Sequence, residues 1–111
     1  MSRTYYPKNK KIEAVNFNVA GCQILSKLIE HFNLERANYE KSYLQDQYDP
    51  PFKAIKKRTT LMAQQLMNIE DIHILEFFLQ SKLPFTGSPG QFLEWLRSWQ
   101  KFLSECNGYE T

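Results

Sequence analysis

The sequence predicts an all-α protein, a compact bundle of about five helices with a basic N-terminal arm. Three observations predict it. Apolar residues recur at i, i+3, i+4 spacing over most of the chain. The hydrophobic share of 42%, with 14% aromatic, is enough to fill one core in 111 residues. The sharpest punctuation, Ser88-Pro89-Gly90-Gln91 and Asn107-Gly108, is that of helix caps. No alternating run announces a strand, and there is no internal repeat. The expected organisation is a basic arm over residues 1–11 and a single helical domain over 12–111.

Residues 1–11 have no helical period and contain Pro7, which gives the arm. The first helix is expected over 16–33, where Ala20, Ile24, Leu25, Leu28, Ile29 and Phe32 form one stripe. Asn16 or Asn18 can cap it. Gly21 costs helix propensity but leaves room for another helix to approach. A weaker, outlying helix follows over 35–48, with Tyr39 and Tyr43 paired at i, i+4 and charges around the rest. Asp49-Pro50-Pro51 stops it.

Phe52 to Met67 reads as a helix with Phe52, Ile55, Met62, Ala63 and Leu66 on one face. Asn68 opens the next, with Glu70 and Asp71 in the first turn where the helix dipole favours acids. Its apolar residues, from Ile69 and Ile72 through Leu79 to Leu83, spread around the circumference, so it is expected to be the central post. After the loop 84–90, Ser88 caps the last helix, Pro89 takes its first position and Gln91 completes a capping box. Phe92, Trp95, Leu96, Trp99, Phe102, Leu103 and Cys106 make its stripe, and Asn107-Gly108 ends it. Trp95, Trp99, Phe78 and Leu75 are expected to be buried together.

No catalytic or metal site is legible. His31 and His73 are the two histidines. Glu70-x-x-His73 has di-iron bundle spacing, but such a site needs the motif twice. Cys22 and Cys106 lie far apart among apolar neighbours, which fits packed thiols in a reduced cytoplasm better than a nucleophile, a zinc site or a disulfide. Thr86-Gly-Ser-Pro-Gly90 lacks the lysine of a phosphate loop, and capping accounts for it. The Trp95/Trp99 pair fits a core better than a base-stacking surface. The first residues are basic without an apolar run behind them, so no secretory leader is expected, and no stretch approaches the roughly 18 apolar residues of a membrane span. The expectation is a non-enzyme with no metal or cofactor.

Charge is the feature left over. The net +2 divides into +4 over residues 1–11, −3 over 12–49, +4 over 53–67 and −3 over 68–111. The basic residues are Arg3, Lys8, Lys10 and Lys11 in the first run, and Lys53, Lys56, Lys57 and Arg58 in the second. The second run sits at a helix N-terminus, where the dipole disfavours cations, so helix stability does not explain it. A nucleic-acid backbone does, because each neutralised phosphate releases a counterion. Tyr5 and Tyr6 beside the first run can stack or bond to phosphate. The competing readings are a solvated basic face and a dock for an acidic protein surface. A helix-turn-helix fits poorly, because the helix after Asn68 is too apolar to lie in a groove.

A compact helical chain of this length, with the patches Arg3/Lys8/Lys10/Lys11 and Lys53/Lys56/Lys57/Arg58 and no active-site motif, resembles the small helical subunit of CRISPR effector complexes of the Cascade kind. The resemblance spans the whole chain and is one of architecture and charge. It implies a non-catalytic RNA- or DNA-contacting subunit of an antiviral ribonucleoprotein, present in several copies, with the acidic segments 12–49 and 68–111 suited to subunit contacts. The alternative is a helical adaptor or inhibitor that binds one protein partner and no nucleic acid. Membrane binding is a weaker option, because the basic helix lacks a broad apolar face.

Overall fold

The N-terminal residues do not form an arm. In the computed structural model, which describes residues 2–34 and 51–110, they open the chain as a β-strand, β1 (Arg3–Pro7). β2 (Val15–Phe17) and β3 (Tyr109–Glu110) flank it on either side, giving a three-stranded antiparallel sheet of order β2-β1-β3. The helices are α1 (Val19–Phe32), α2 (Pro51–Met67), α3 (Asp71–Gln80) and α4 (Pro89–Glu105). The fold class is therefore mixed, with four helices and a sheet among the described residues, and the all-α expectation is corrected. The helix expected over 35–48 and its stop at Asp49-Pro50 lie outside the described residues.

The sheet escapes a periodicity search for physical reasons. Its strands have five, three and two residues, too few for alternation to show, and only Tyr5 of β1 is fully buried. Its pairings are non-local: Arg3 opposes Phe17, and Pro7 opposes Tyr109 from the far end of the chain. The composition was nevertheless suitable, since Thr4, Tyr5, Tyr6, Val15, Phe17 and Tyr109 are all strand-favouring types. Pleating sends Tyr5, Phe17 and Tyr109 inward.

Those inward rings lie on the apolar stripe of α4. Tyr5 meets Phe17, Trp99 and Tyr109 at centroid distances of 5.7, 5.0 and 4.7 Å. Phe17 in turn spans Trp95 at 5.4 Å and Trp99 at 4.8 Å. Phe92, Leu96, Trp99, Phe102, Leu103 and Cys106 are all buried, as the stripe predicts, while Trp95 is half-buried. α2 and α3 both pack against α4 as well. The central element is thus α4, and the expectation that the helix after Asn68 is the post is corrected. α3 buries Ile74 and Phe77 but leaves Ile72 54% and Leu79 72% exposed. Leu75 and Phe78 are half-buried, so of the four side chains expected to be buried together only Trp99 is fully enclosed.

Local signals fared better. Asn18 caps α1, accepting from the Gly21 N–H at 2.7 Å. Gly21 lies against Phe17 at the end of β2 and not against another helix, and a Cβ there would sit 3.4 Å from Phe17 Cβ, an ordinary contact, so the packing does not require glycine. Ser88 and Gln91 form the reciprocal capping box at α4, with distances of 2.8 and 3.2 Å. Beyond α4, Asn107 and Gly108 have φ of 58° and 91°, the left-handed turn that swings the chain back into β3.

Candidate nucleic-acid interface

The eight basic residues singled out from the sequence sit on three pieces of structure. Arg3 is exposed on β1, and its charge works against the rise that burial gives the Tyr5 hydroxyl pKa. Lys8 continues past the strand: its N–H donates to Gly108 O at 3.0 Å and its Nζ pairs with Glu110 at 3.1 Å. Lys10 and Lys11 are exposed on the next turn. That turn is anchored by Asn9, whose backbone N–H donates to Cys106 O and whose Nδ2 donates to Glu105 O, both at 3.0 Å. Asn9 Oδ1 also accepts from the Lys11 N–H at 3.1 Å. Lys56 and Lys57 are exposed on α2, and Arg58 is half-buried. The side chain of Lys53 lies outside the described residues.

Two of these pieces meet at β3. α2 packs against β3, and β1 pairs with it. Tyr109 records the meeting electrostatically. Burial pushes its hydroxyl well above the ordinary tyrosine range, with Tyr5 and Cys106 adding to the rise, while Arg3 and Arg58 both pull it down. Arg3 and Arg58 come from different elements, and their charges act on one hydroxyl. Glu110, paired with Lys8, places one acid inside this basic border.

The two runs differ in how the fold explains them. Lys8, Lys10 and Lys11 flank Asn9, whose bonds to Glu105 O and Cys106 O fasten this turn to the C-terminus of α4, where the helix dipole favours cations. The second run has no such support. Lys56 and Lys57 lie near the N-terminus of α2, whose first turn holds no acid, and neither forms an ion pair among the described residues.

The other chemistry reads as structural. His31 lies against Phe32 and Phe77 with centroids 4.7 and 4.8 Å away, and exposed His73 pairs with Glu76 at 3.7 Å. Cys106 is fully buried, its thiol donating to Leu103 O at 3.5 Å, and burial raises its pKa. Cys22, half-buried, is also a free thiol. At the loop before α4, Ser88 N–H and Gln91 N–H are already spent on the capping box. Among the described residues there is no group of His, Cys, Asp and Glu able to hold a metal, and no helix long and apolar enough to cross a membrane.

Two residues of consequence escaped the sequence reading. Sequence alone sets Tyr6 beside Tyr5 with nothing to distinguish them, yet Tyr5 is 1% exposed and Tyr6 56%. Period-two reading of 3–7 separates them. Arg97 was counted only as a charge. It binds Leu66 O at 2.8 Å, Ile69 O at 2.7 Å and Asp71 Oδ1 at 2.6 Å, joining α4 to the α2–α3 junction. No protein-family model matches the chain, nor does any curated protein or solved structure. The resemblance to a CRISPR small subunit rested on helical architecture and on charge, and with the sheet present only the charge remains.

Proposed function

We propose that this protein is a non-catalytic binder of nucleic-acid backbone, using the basic border of β3. The observation that carries the reading is the convergence of two basic runs, distant in sequence, on one two-residue strand: β1 pairs with β3 and leads into Lys8, which bonds Glu110, while α2, which carries the second run, packs against β3. Like charges crowded at i, i+3 and i+4 on the first two turns of α2 repel one another, so a ligand that neutralises them is favoured. Flexible lysines with no base-reading arrangement around them suit phosphate contact without sequence preference.

The test is fluorescence anisotropy of labelled DNA and RNA against salt concentration, comparing wild type with Lys56→Gln/Lys57→Gln. Two lost phosphate contacts flatten the slope of log affinity against log salt by roughly 1.4–1.8, with the circular dichroism spectrum retained. An unchanged slope would remove α2 from the interface. A second reading, an adaptor with a protein partner, is favoured by one observation: Ile72 and Leu79 stand exposed on the same side of α3. In that case Ile72→Ser/Leu79→Ser abolishes the protein complex, and the lysine variant leaves it intact.

A further inference from the structure

Alternation along β1 gives the sheet an outer face of Thr4, Tyr6, Asn16 and Glu110, opposite the buried rings of Tyr5, Phe17 and Tyr109. Tyr6 stands on the middle strand of that face, more than half exposed, and touches no other ring among the described residues. Its neighbours are small and polar. Asn16 Nδ2 donates to Thr4 Oγ1 at 2.6 Å, which ties those two side chains to each other and leaves the tyrosine ring open. Glu110, opposite Tyr6 in the register, is drawn to Lys8. Beyond Lys8 come exposed Lys10 and Lys11 on the turn that Asn9 fastens to the end of α4. A flat aromatic surface is thus held on a hydrogen-bonded sheet, and the anchored turn that carries Lys10 and Lys11 follows the same strand.

We propose that this outer face is a stacking platform for one base of a single-stranded nucleic acid, with Lys10 and Lys11 holding the adjoining phosphates. This rests on the backbone-binding reading above and adds the strand form of the ligand. In a duplex both faces of each base are already stacked and paired, so a side chain lying on a sheet reaches only a splayed base. Stacking is tolerant of sequence, because every base has a π-face, and it agrees with the lack of a base-edge reader. Strand propensity alone does not require the ring, since threonine or valine would serve β1 equally well.

The test measures anisotropy of the full chain with labelled oligothymidylate, and with a duplex of equal length, at matched salt. Tyr6→Thr keeps a strand-favouring residue and removes the ring; Tyr6→Phe keeps the ring. Wild type should prefer the single strand. Tyr6→Thr should lose roughly 5- to 100-fold in single-strand affinity, with its salt slope and duplex affinity unchanged, and Tyr6→Phe should retain most of it. Equal single-strand affinity in Tyr6→Thr and wild type, or a wild-type preference for duplex, overturns the platform. If Lys56→Gln/Lys57→Gln still flattens the salt slope in that case, the backbone reading survives and stacking alone is lost. If wild type binds neither form at low salt, both fall together.

Discussion

The ring of Tyr5 is in contact with β2, β3 and α4 at once, through Phe17, Tyr109 and Trp99. Its hydroxyl and that of Tyr109 are held in low-dielectric surroundings, and burial raises both pKa values above the ordinary 10.0. The sign of the consequence follows from linkage. The unfolded chain releases these protons before the folded one, so rising pH favours unfolding. The stability the neutral hydroxyls contribute is complete below pH 10.0 and declines from there upward, toward the raised folded-state values. Cys106, raised from 9.0 by burial, starts the decline slightly earlier. Thermal unfolding followed by circular dichroism from about pH 8 to about pH 11 should show a level midpoint giving way to a falling one. In Tyr109→Phe the fall should be shallower, whatever the absolute midpoint; an identical fall would place the titration elsewhere. Little of this was readable beforehand. Neighbouring tyrosines in a basic segment look alike until the pleat of β1 sends one inward and the other out.

At the scale of elements, what was legible was what is local. The capping box at Ser88 and Gln91 needs partners three residues apart, and the left-handed stop at Asn107-Gly108 needs only its own backbone. The stripe of α4 was equally clear, since one helix face carries five buried residues and the C-cap Cys106 extends it. The role of α3 was not. Its apolar residues surround it on paper, yet a ten-residue helix packed on α4 covers only part of its circumference, and Ile72 and Leu79 remain in solvent. Arg97 was illegible because its acceptors are backbone carbonyls 31 and 28 residues away, at Leu66 and Ile69. Its side chain is 28% exposed, against 62% for Asp71. Arg97→Ala should therefore cost about 2–4 kcal/mol in urea unfolding, since it strands two carbonyls that accept from a charged donor. Asp71→Ala should cost only about 0–1 kcal/mol, as an exposed pair does. Equal effects would show that the ion pair, and not the carbonyl clamp, joins α4 to the α2–α3 junction.

For the molecule as a whole, the strand order β2-β1-β3 is what the sequence concealed and what matters most for the candidate site. Pairing residues near both ends of the chain draws the first basic run against β3, and α2 brings the second to the same strand. The charge blocks themselves were visible in the sequence, but their adjacency depends on two-residue and five-residue strands that no local pattern specifies. Among the described residues, no helix is long and apolar enough to cross a membrane.

The most direct test of a shared basic surface is a lysine-acetylation footprint, read by mass spectrometry with and without saturating oligonucleotide. Exposed lysines on both runs serve as reporters, with exposed Lys27 on α1 and Lys82 just beyond α3, outside both runs, as controls. The account predicts that Lys10, Lys11, Lys56 and Lys57 are all protected by one bound strand while Lys27 and Lys82 react as before. Protection of only one run, or equal protection of all six, would contradict it.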